Sequence, residues 1–308
     1  GATVALTIDS KLQKAAQTSL EETILKIAEK GKYAGNQGAD ADAGAAVVIE
    51  VGTGDVLAAA NYPTNNLEDL LKDYNSVLNA ESQPLYNRAF QGTYPPGSAY
   101  KPLVALAALQ SGTINSSTRV TCTHRYTYYQ DYQPKCLGTH GSISLEHALA
   151  VSCNFYFFEV GRQTTIQVIE NYAKSFGLGQ KTGIGLPESS GIAAGISYRT
   201  SIGQKWVPGD TLQAAIGQSD NLYTPLQLAN YIATICSGGI RYQPRIVKQV
   251  VSKDGIRTLV ADEPSVAATV ELDQKNIDSV MRGMLSVTLD GTGAGVFRNY
   301  PIRVGGKT

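Results

Sequence analysis

Charge of either sign is scarce in this chain. Its 26 basic and 26 acidic residues cancel, and charged residues fill only 17% of the 308 positions. A chain without net charge has no basic stripe to neutralise phosphates, which excludes nucleic acid as a partner. Long apolar runs are missing too. The longest, residues 103–109, falls far short of the roughly 20 residues that span a bilayer. Gly1-Ala2-Thr3-Val4 shows no charged segment followed by an apolar stretch, so no signal peptide is expected within these residues. The three histidines are scattered, and no Cys-x-x-Cys or His-x-x-x-His spacing occurs. No metal or other cofactor is therefore expected, and His124, His140 and His147 read as surface or turn residues.

Four cysteines are too few for a disulfide scaffold. Cys122 and Cys136 bracket a polar, Tyr-rich loop and are the one disulfide candidate, although two free thiols fit equally well. A bridge there closes a loop of about 15 residues, contributing roughly 3 kcal/mol in the chain-entropy picture. Cys153 and Cys236 lie in apolar stretches and read as buried small side chains. Tyr126, Tyr128, Tyr129 and Tyr132 form a candidate exposed contact patch.

Against these absences stand 43% hydrophobic residues, 31 glycines and 17 tyrosines, the composition of an ordered chain rather than a disordered one. The length fits one large domain or two modest ones. Leu12, Ala16, Leu20, Ile24 and Ile27 recur on one helical face after a capping Asp9 or Ser10. A small-residue loop is expected over 35–44, then a hairpin of 45–51 and 56–61 around Gly52-Thr53-Gly54-Asp55. Residues 64–97 read as irregular, and Tyr94-Pro95-Pro96-Gly97 leads into a helix over 98–110 that is apolar on nearly every side. Helices over 144–151 and 155–162 flank Ser152-Cys153-Asn154, and others are expected at 165–176, 225–237 and 273–287. A second hairpin pairs 246–251 with 258–260, and 302–308 reads as a strand. Strands at both ends around a helical middle make an α+β layout, with a sheet part of 1–63 and 240–308 and a mostly helical part of 64–239.

Ser98-Ala99-Tyr100-Lys101 puts a serine and a lysine on one face at a helix start. A neutral lysine amine can accept the serine proton, and the Ser98 N–H, free in the first turn, can bind an oxyanion. That lysine needs burial or a neighbouring cation to lose its charge. Ser152 and Asn154 add a hydroxyl and an amide, and Lys307-Thr308 a cation and hydroxyl that suit a substrate carboxylate. Lys181-Thr182-Gly183 is a decoy in a Gly-rich turn. Each piece alone is common by chance.

Together they are specific. The chain resembles the transpeptidase domain of class B penicillin-binding proteins, the serine D,D-transpeptidases that cross-link peptidoglycan. The resemblance runs from Leu6-Thr7-Ile8-Asp9 to Thr308, through 44–51, Ala60-Asn61-Tyr62-Pro63, Tyr86-Asn87-Arg88-Ala89, Pro95-Pro96-Gly97-Ser98, Ser152-Cys153-Asn154, Ile216-Gly217-Gln218, Thr224-Pro225-Leu226-Gln227 and Gly306-Lys307-Thr308. It implies a central antiparallel sheet flanked by helices with an inserted all-helical subdomain. It makes Ser98 the acylated nucleophile and oxyanion donor, Lys101 its base, Ser152 the proton relay and Asn154 the clamp on the donor peptide. Lys307 and Thr308 would bind the terminal D-alanine carboxylate or that of a β-lactam. His140-Gly141 and the Cys122/Cys136 pair resemble elongation-type members. The implied partners are peptidoglycan stem peptides, β-lactam antibiotics, a membrane glycosyltransferase and divisome or elongasome proteins. The implied location is the extracytoplasmic face of the bacterial cytoplasmic membrane, with an N-terminal anchor outside these residues. The third motif of such proteins continues past Thr308, so strands from a further segment or separate chain are expected there. A Ser-x-x-Lys β-lactamase and a non-catalytic penicillin-binding sensor or scaffold are the alternatives.

Overall fold

The computed structural model describes residues 1–33, 35 and 37–308, so the loop expected over 35–44 includes Asn36, which lies outside the described residues. The chain forms two compact units. One comprises Gly1–Tyr94, Gln180–Ser190 and Thr224–Thr269; the other comprises Pro95–Gly179, Gly191–Tyr223 and Val270–Thr308. Among the described residues no helix is long and apolar enough to cross a membrane.

The first unit carries most of the strands. Thr3–Leu6, Val247–Val251 and Thr258–Ala261 form an antiparallel three-stranded sheet with Val247–Val251 in the middle. The hairpin Gly44–Ile49 and Val56–Tyr62 pairs Ala46 with Ala60, as its alternation and turn residues dictate. Ile240–Tyr242 pairs with Val266–Thr269. Backbone bonds from Val56 N–H to Arg245 C=O (3.0 Å) and from Arg245 N–H to Gly54 C=O (3.1 Å) join the hairpin to the approach of Val247–Val251. An Arg245–Asp55 ion pair covers that junction.

The long helix Ser10–Gly31 starts where Asp9 Oδ1 accepts from the N–H groups of Lys11 and Leu12, both at 2.9 Å. It then occupies the outer edge of Val56–Tyr62 with side-chain amides in place of a strand. Gln13 donates to Ala59 C=O (3.3 Å) and accepts from Ala59 N–H (2.7 Å), and Gln17 does the same at Asn61. Backbone groups that would otherwise be orphaned are thereby paired. Pro225–Cys236 opens on a capping box of Thr224 and Gln227 and packs on Gly44–Ile49.

The second unit surrounds one helix. Residues 101–109 of Lys101–Gln110 are all buried, and Leu145–Ala150, Asn154–Thr164, Ile166–Ser175 and Gln274–Leu289 pack around it. A helix apolar on all sides is stable only in such a position. Gly283 lets Gln274–Leu289 approach closely, because a Cβ there would lie 2.6 Å from Leu149.

Several expectations give way. Residues 64–97 contain two short helices, Leu67–Lys72 and Tyr74–Leu78, started by the side chains of Asn66 and Asp73. Residues 302–308 are not a strand. No strand pairs with them among the described residues, and Gly306 N–H instead donates to Met284 C=O at 2.9 Å. Residues 270–308 cluster with the helical unit, and 64–94, 180–190 and 224–239 with the strand-bearing one. Cys236 is exposed, because it ends its helix on the outer side. Tyr126 belongs to a core cluster with Phe158 and Leu212, so the expected tyrosine patch is only partly a surface.

Candidate active site

Ser98 sits in a 3-10 turn, Gly97–Tyr100, that runs directly into the helix Lys101–Gln110. Pro95 and Pro96 stiffen the approach. Gly97 takes φ +52° and donates its N–H to Gly217 C=O at 3.0 Å. Gly217, at φ +73°, has no room for a side chain, since a Cβ there would lie 2.1 Å from the Gly97 oxygen. Two glycines therefore seat the nucleophile turn against the 216–218 loop.

Lys101 is fully buried and satisfied by three acceptors. Its Nζ donates to Asn154 Oδ1 at 2.6 Å, to Ser152 C=O at 2.8 Å and to Ser152 Oγ at 3.2 Å. The Phe157 ring lies 5.5 Å from it. Ser152 Oγ in turn donates to Ser98 Oγ at 3.0 Å. The hydrogen bonds thus run from Lys101 through Ser152 to Ser98. Ser152 adopts φ +55°, uncommon for a side-chain-bearing residue. Placed between Leu145–Ala150 and Asn154–Thr164, this left-handed turn aims both its carbonyl and its hydroxyl at Lys101. Strain of this kind costs of order 1–3 kcal/mol and persists where surrounding structure enforces it.

Burial first, and the positive charge of Lys307 second, push the Lys101 ammonium down to about 7. Near neutrality a large share of Lys101 is therefore a free amine. Lys307 is itself lowered to about 8 by burial. Its Nζ donates to Thr308 C=O at 2.7 Å, and Thr308 Oγ1 lies 2.5 Å from Thr292 Oγ1. The segment before it lies along Gln274–Leu289 through the Gly306–Met284 bond and a bond from Thr288 to Val304 C=O.

The structure thus brings Ser98, Lys101, Ser152 and Asn154 into one hydrogen-bonded group, with Lys307 near enough to act on Lys101. The decoy Lys181-Thr182-Gly183 is held by its own local bonds. In the other unit, the N–H groups of Thr182 and Gly183 both donate to Glu188 at 2.8 Å.

Of the two readings open for Cys122 and Cys136, the structure has the free thiols rather than the bridge. Their sulfurs face the same atom, His140 Nδ1, at 3.5 Å and 3.7 Å. With Cys153 they form the one group of metal-ligand type found among the described residues. The spacing of cysteines and histidines along the chain points to no such group. Its four members stand at 122, 136, 140 and 153, and only the fold brings them together.

Residues 44–308 match the family described as "Penicillin binding protein transpeptidase domain". The peptidoglycan D,D-transpeptidase MrdA of Acinetobacter baumannii is 31% identical over 277 residues, covering 86% of this chain and 40% of its own length. Among solved structures, Pseudomonas aeruginosa PBP2 in complex with WCK 5153 superimposes with a TM-score of 0.82 and 30% identity, over 100% of this chain and 67% of its own. A chain from a peptidoglycan synthase complex, studied for its coordination of polymerization and crosslinking, gives 0.87 and 28%, over 100% of this chain and 53% of its own. The chain spans about two fifths of the length of this MrdA relative.

Proposed function

The chain belongs to the penicillin-binding protein transpeptidase family, and from that premise we propose that it is the catalytic domain of a class B, elongation-type peptidoglycan D,D-transpeptidase. The observation that carries this reading is the buried lysine joined through Ser152 to Ser98. Ser98 Oγ attacks the carbonyl between the two terminal D-alanines of a stem peptide. As the new C–O bond forms, the Ser98 proton passes to Ser152, and the Ser152 proton to the free amine of Lys101. The Ser98 N–H, in the first turn of its helix, donates to the developing oxyanion. The tetrahedral intermediate expels D-alanine, whose nitrogen takes the proton back along the same path. An acceptor amine then attacks the ester, and Ser98 leaves with a proton returned through Ser152.

Asn154 has an amide N–H₂ free of Lys101, suited to a donor-peptide carbonyl. Lys307 and Thr308 hold the terminal carboxylate, whose charge only a cation offsets well once it is desolvated. A β-lactam offers the same carboxylate and a strained amide, so it acylates the same Ser98. The MrdA and PBP2 relatives and the synthase complex support peptidoglycan stem peptides as substrate and a polymerizing glycosyltransferase as partner. The place of action is then the extracytoplasmic face of the bacterial membrane.

D-alanine release from a stem pentapeptide tests the reading. The chain releases D-alanine and forms a cross-linked product when an acceptor amine is supplied. Ser98→Ala stops both. Release that survives Ser98→Ala overturns the assignment.

A further inference from the structure

One buried amide outside the acyl-transfer group is bonded at every position it offers. Asn221 is 0% exposed and lies in the sequence between the 214–218 loop and the helix Pro225–Cys236. Its Oδ1 accepts from Ala194 N–H at 3.1 Å and from the Tyr223 hydroxyl at 2.7 Å. Its Nδ2 donates to Ala214 C=O at 3.2 Å and to Gln218 C=O at 3.0 Å. A side-chain amide has two donor hydrogens and two acceptor lone pairs, so all of its capacity is used. Turning it over would set its oxygen against two carbonyls, which fixes its orientation.

What this amide holds is the seat of the nucleophile turn. Ala214 C=O also accepts from Gly217 N–H at 3.0 Å, and Gly217 C=O accepts from the N–H of Gly97, the residue before Ser98. Gly217 and Ser219 take left-handed φ values of +73° and +60°, on either side of Gln218, whose carbonyl Asn221 grips. Such a turn is strained at Ser219 and persists where its surroundings hold it. A second arm runs through Tyr223. Its fully buried ring stacks on that of Tyr100, with centroids 5.9 Å apart and planes at 19°. Tyr100 follows Ser98 by two residues and precedes Lys101. One side chain is thereby linked to the backbone just before the nucleophile and to the ring just after it. The four bonds of Asn221 reach neither Ser98 nor Lys101, so it can act only through the turn. A misplacement of about 1 Å there is enough to slow a reaction on the order of a hundredfold.

We propose that Asn221 is a positioning residue for acylation. Its Nδ2 holds the 214–218 loop against Gly97 and, with Tyr223 stacked on Tyr100, it keeps Ser98 Oγ where Ser152 can take its proton. The role rests on the acyl-transfer reading of Ser98. In that reading Lys307 and Thr308 capture the substrate carboxylate, so Asn221 governs the rate of the covalent step and not the affinity that precedes it.

Labelling with a fluorescent penicillin at increasing concentration separates the acylation rate at saturation from the half-saturating concentration. Asn221→Asp keeps an acceptor for Ala194 and Tyr223 but replaces the donor to the loop with an oxygen. Its saturating rate falls at least tenfold, while its half-saturating concentration stays within twofold of the parent. Tyr223→Leu, which loses the stacked ring, also slows at least tenfold. Tyr223→Phe keeps that ring, loses one hydroxyl and stays within threefold of the parent rate. Urea melts set the conditions, so that every variant compared is at least nine-tenths folded. Should Asn221→Asp not fold there, the two Tyr223 variants carry the comparison. The role is overturned by an Asn221→Asp chain that acylates at the parent rate, by Tyr223→Leu and Tyr223→Phe slowing equally, or by a loss that lies in the half-saturating concentration. A parent chain that takes no label on Ser98 overturns the acyl-transfer reading itself, an outcome distinct from all three.

Discussion

At the scale of single residues, the proposed chemistry asks different tasks of two lysines. Lys101 must be neutral to take a proton, and Lys307 must be charged to hold a carboxylate. Burial lowers both, Lys101 to about 7 and Lys307 to about 8. Below pH 7 Lys101 keeps its proton and cannot act as base. Above pH 8 Lys307 loses the charge that holds the substrate. The kcat/KM for acylation should therefore rise through about pH 7 and fall above about pH 8, since this parameter reports the free enzyme. Lys307→Gln should remove the falling limb. It should also move the rising limb upward, because the Lys307 charge is one of the two forces lowering Lys101. A profile for Lys307→Gln that matches the parent at both limbs contradicts this. That Ser98, Lys101, Ser152 and Asn154 would meet in one hydrogen-bonded group was legible only from the full set of motifs in their order, since each short motif alone is common by chance. The cysteine–histidine cluster was not legible. Its members stand 14, 4 and 13 positions apart, and a pairing of two four-residue strands brings Cys122 back to His140.

At the scale of elements, the nucleophile turn depends on backbone approach as much as on side chains. Gly217→Ala adds a methyl 2.1 Å from the Gly97 oxygen and forces a side chain onto φ +73°. Stability should fall by about 1–3 kcal/mol, and labelled-penicillin acylation should slow by an order of magnitude because Ser98 follows Gly97. Gly112→Ala is the control. Its φ is +71°, with nothing within 4 Å of the added carbon. It should lose stability through backbone strain alone and acylate at the parent rate. Parallel urea melts and acylation time courses distinguish the two, and equal acylation by both variants contradicts the seating role of Gly217. Long helices were legible from apolar periodicity, as in Ser10–Gly31 and Gln274–Leu289. The strands Arg119–Cys122, Gly141–Ser144, Ile240–Tyr242 and Val266–Thr269 were not. Each has three or four residues, too few for an alternation to stand out, and partners far away in sequence decide them.

At the scale of the whole molecule, composition bounded the fold class but not its partition. The chain passes repeatedly between its two units, so no composition shift or linker marks where one ends. The helix Gln274–Leu289 shows why. Its amphipathic pattern is plain, yet the surface that accepts its apolar face is set by Leu149 and the central helix, which sequence order does not reveal. The proposed active-site residues Ser98, Lys101, Ser152, Asn154 and Lys307 all belong to the unit built around that central helix. Its packing therefore sets their geometry. The most direct measurement of the central claim is incubation of the chain with a labelled penicillin, followed by digestion and peptide mapping. The account predicts a one-to-one adduct on the peptide containing Ser98, absent in Ser98→Ala. A label on any other residue, or one that persists in Ser98→Ala, would contradict it.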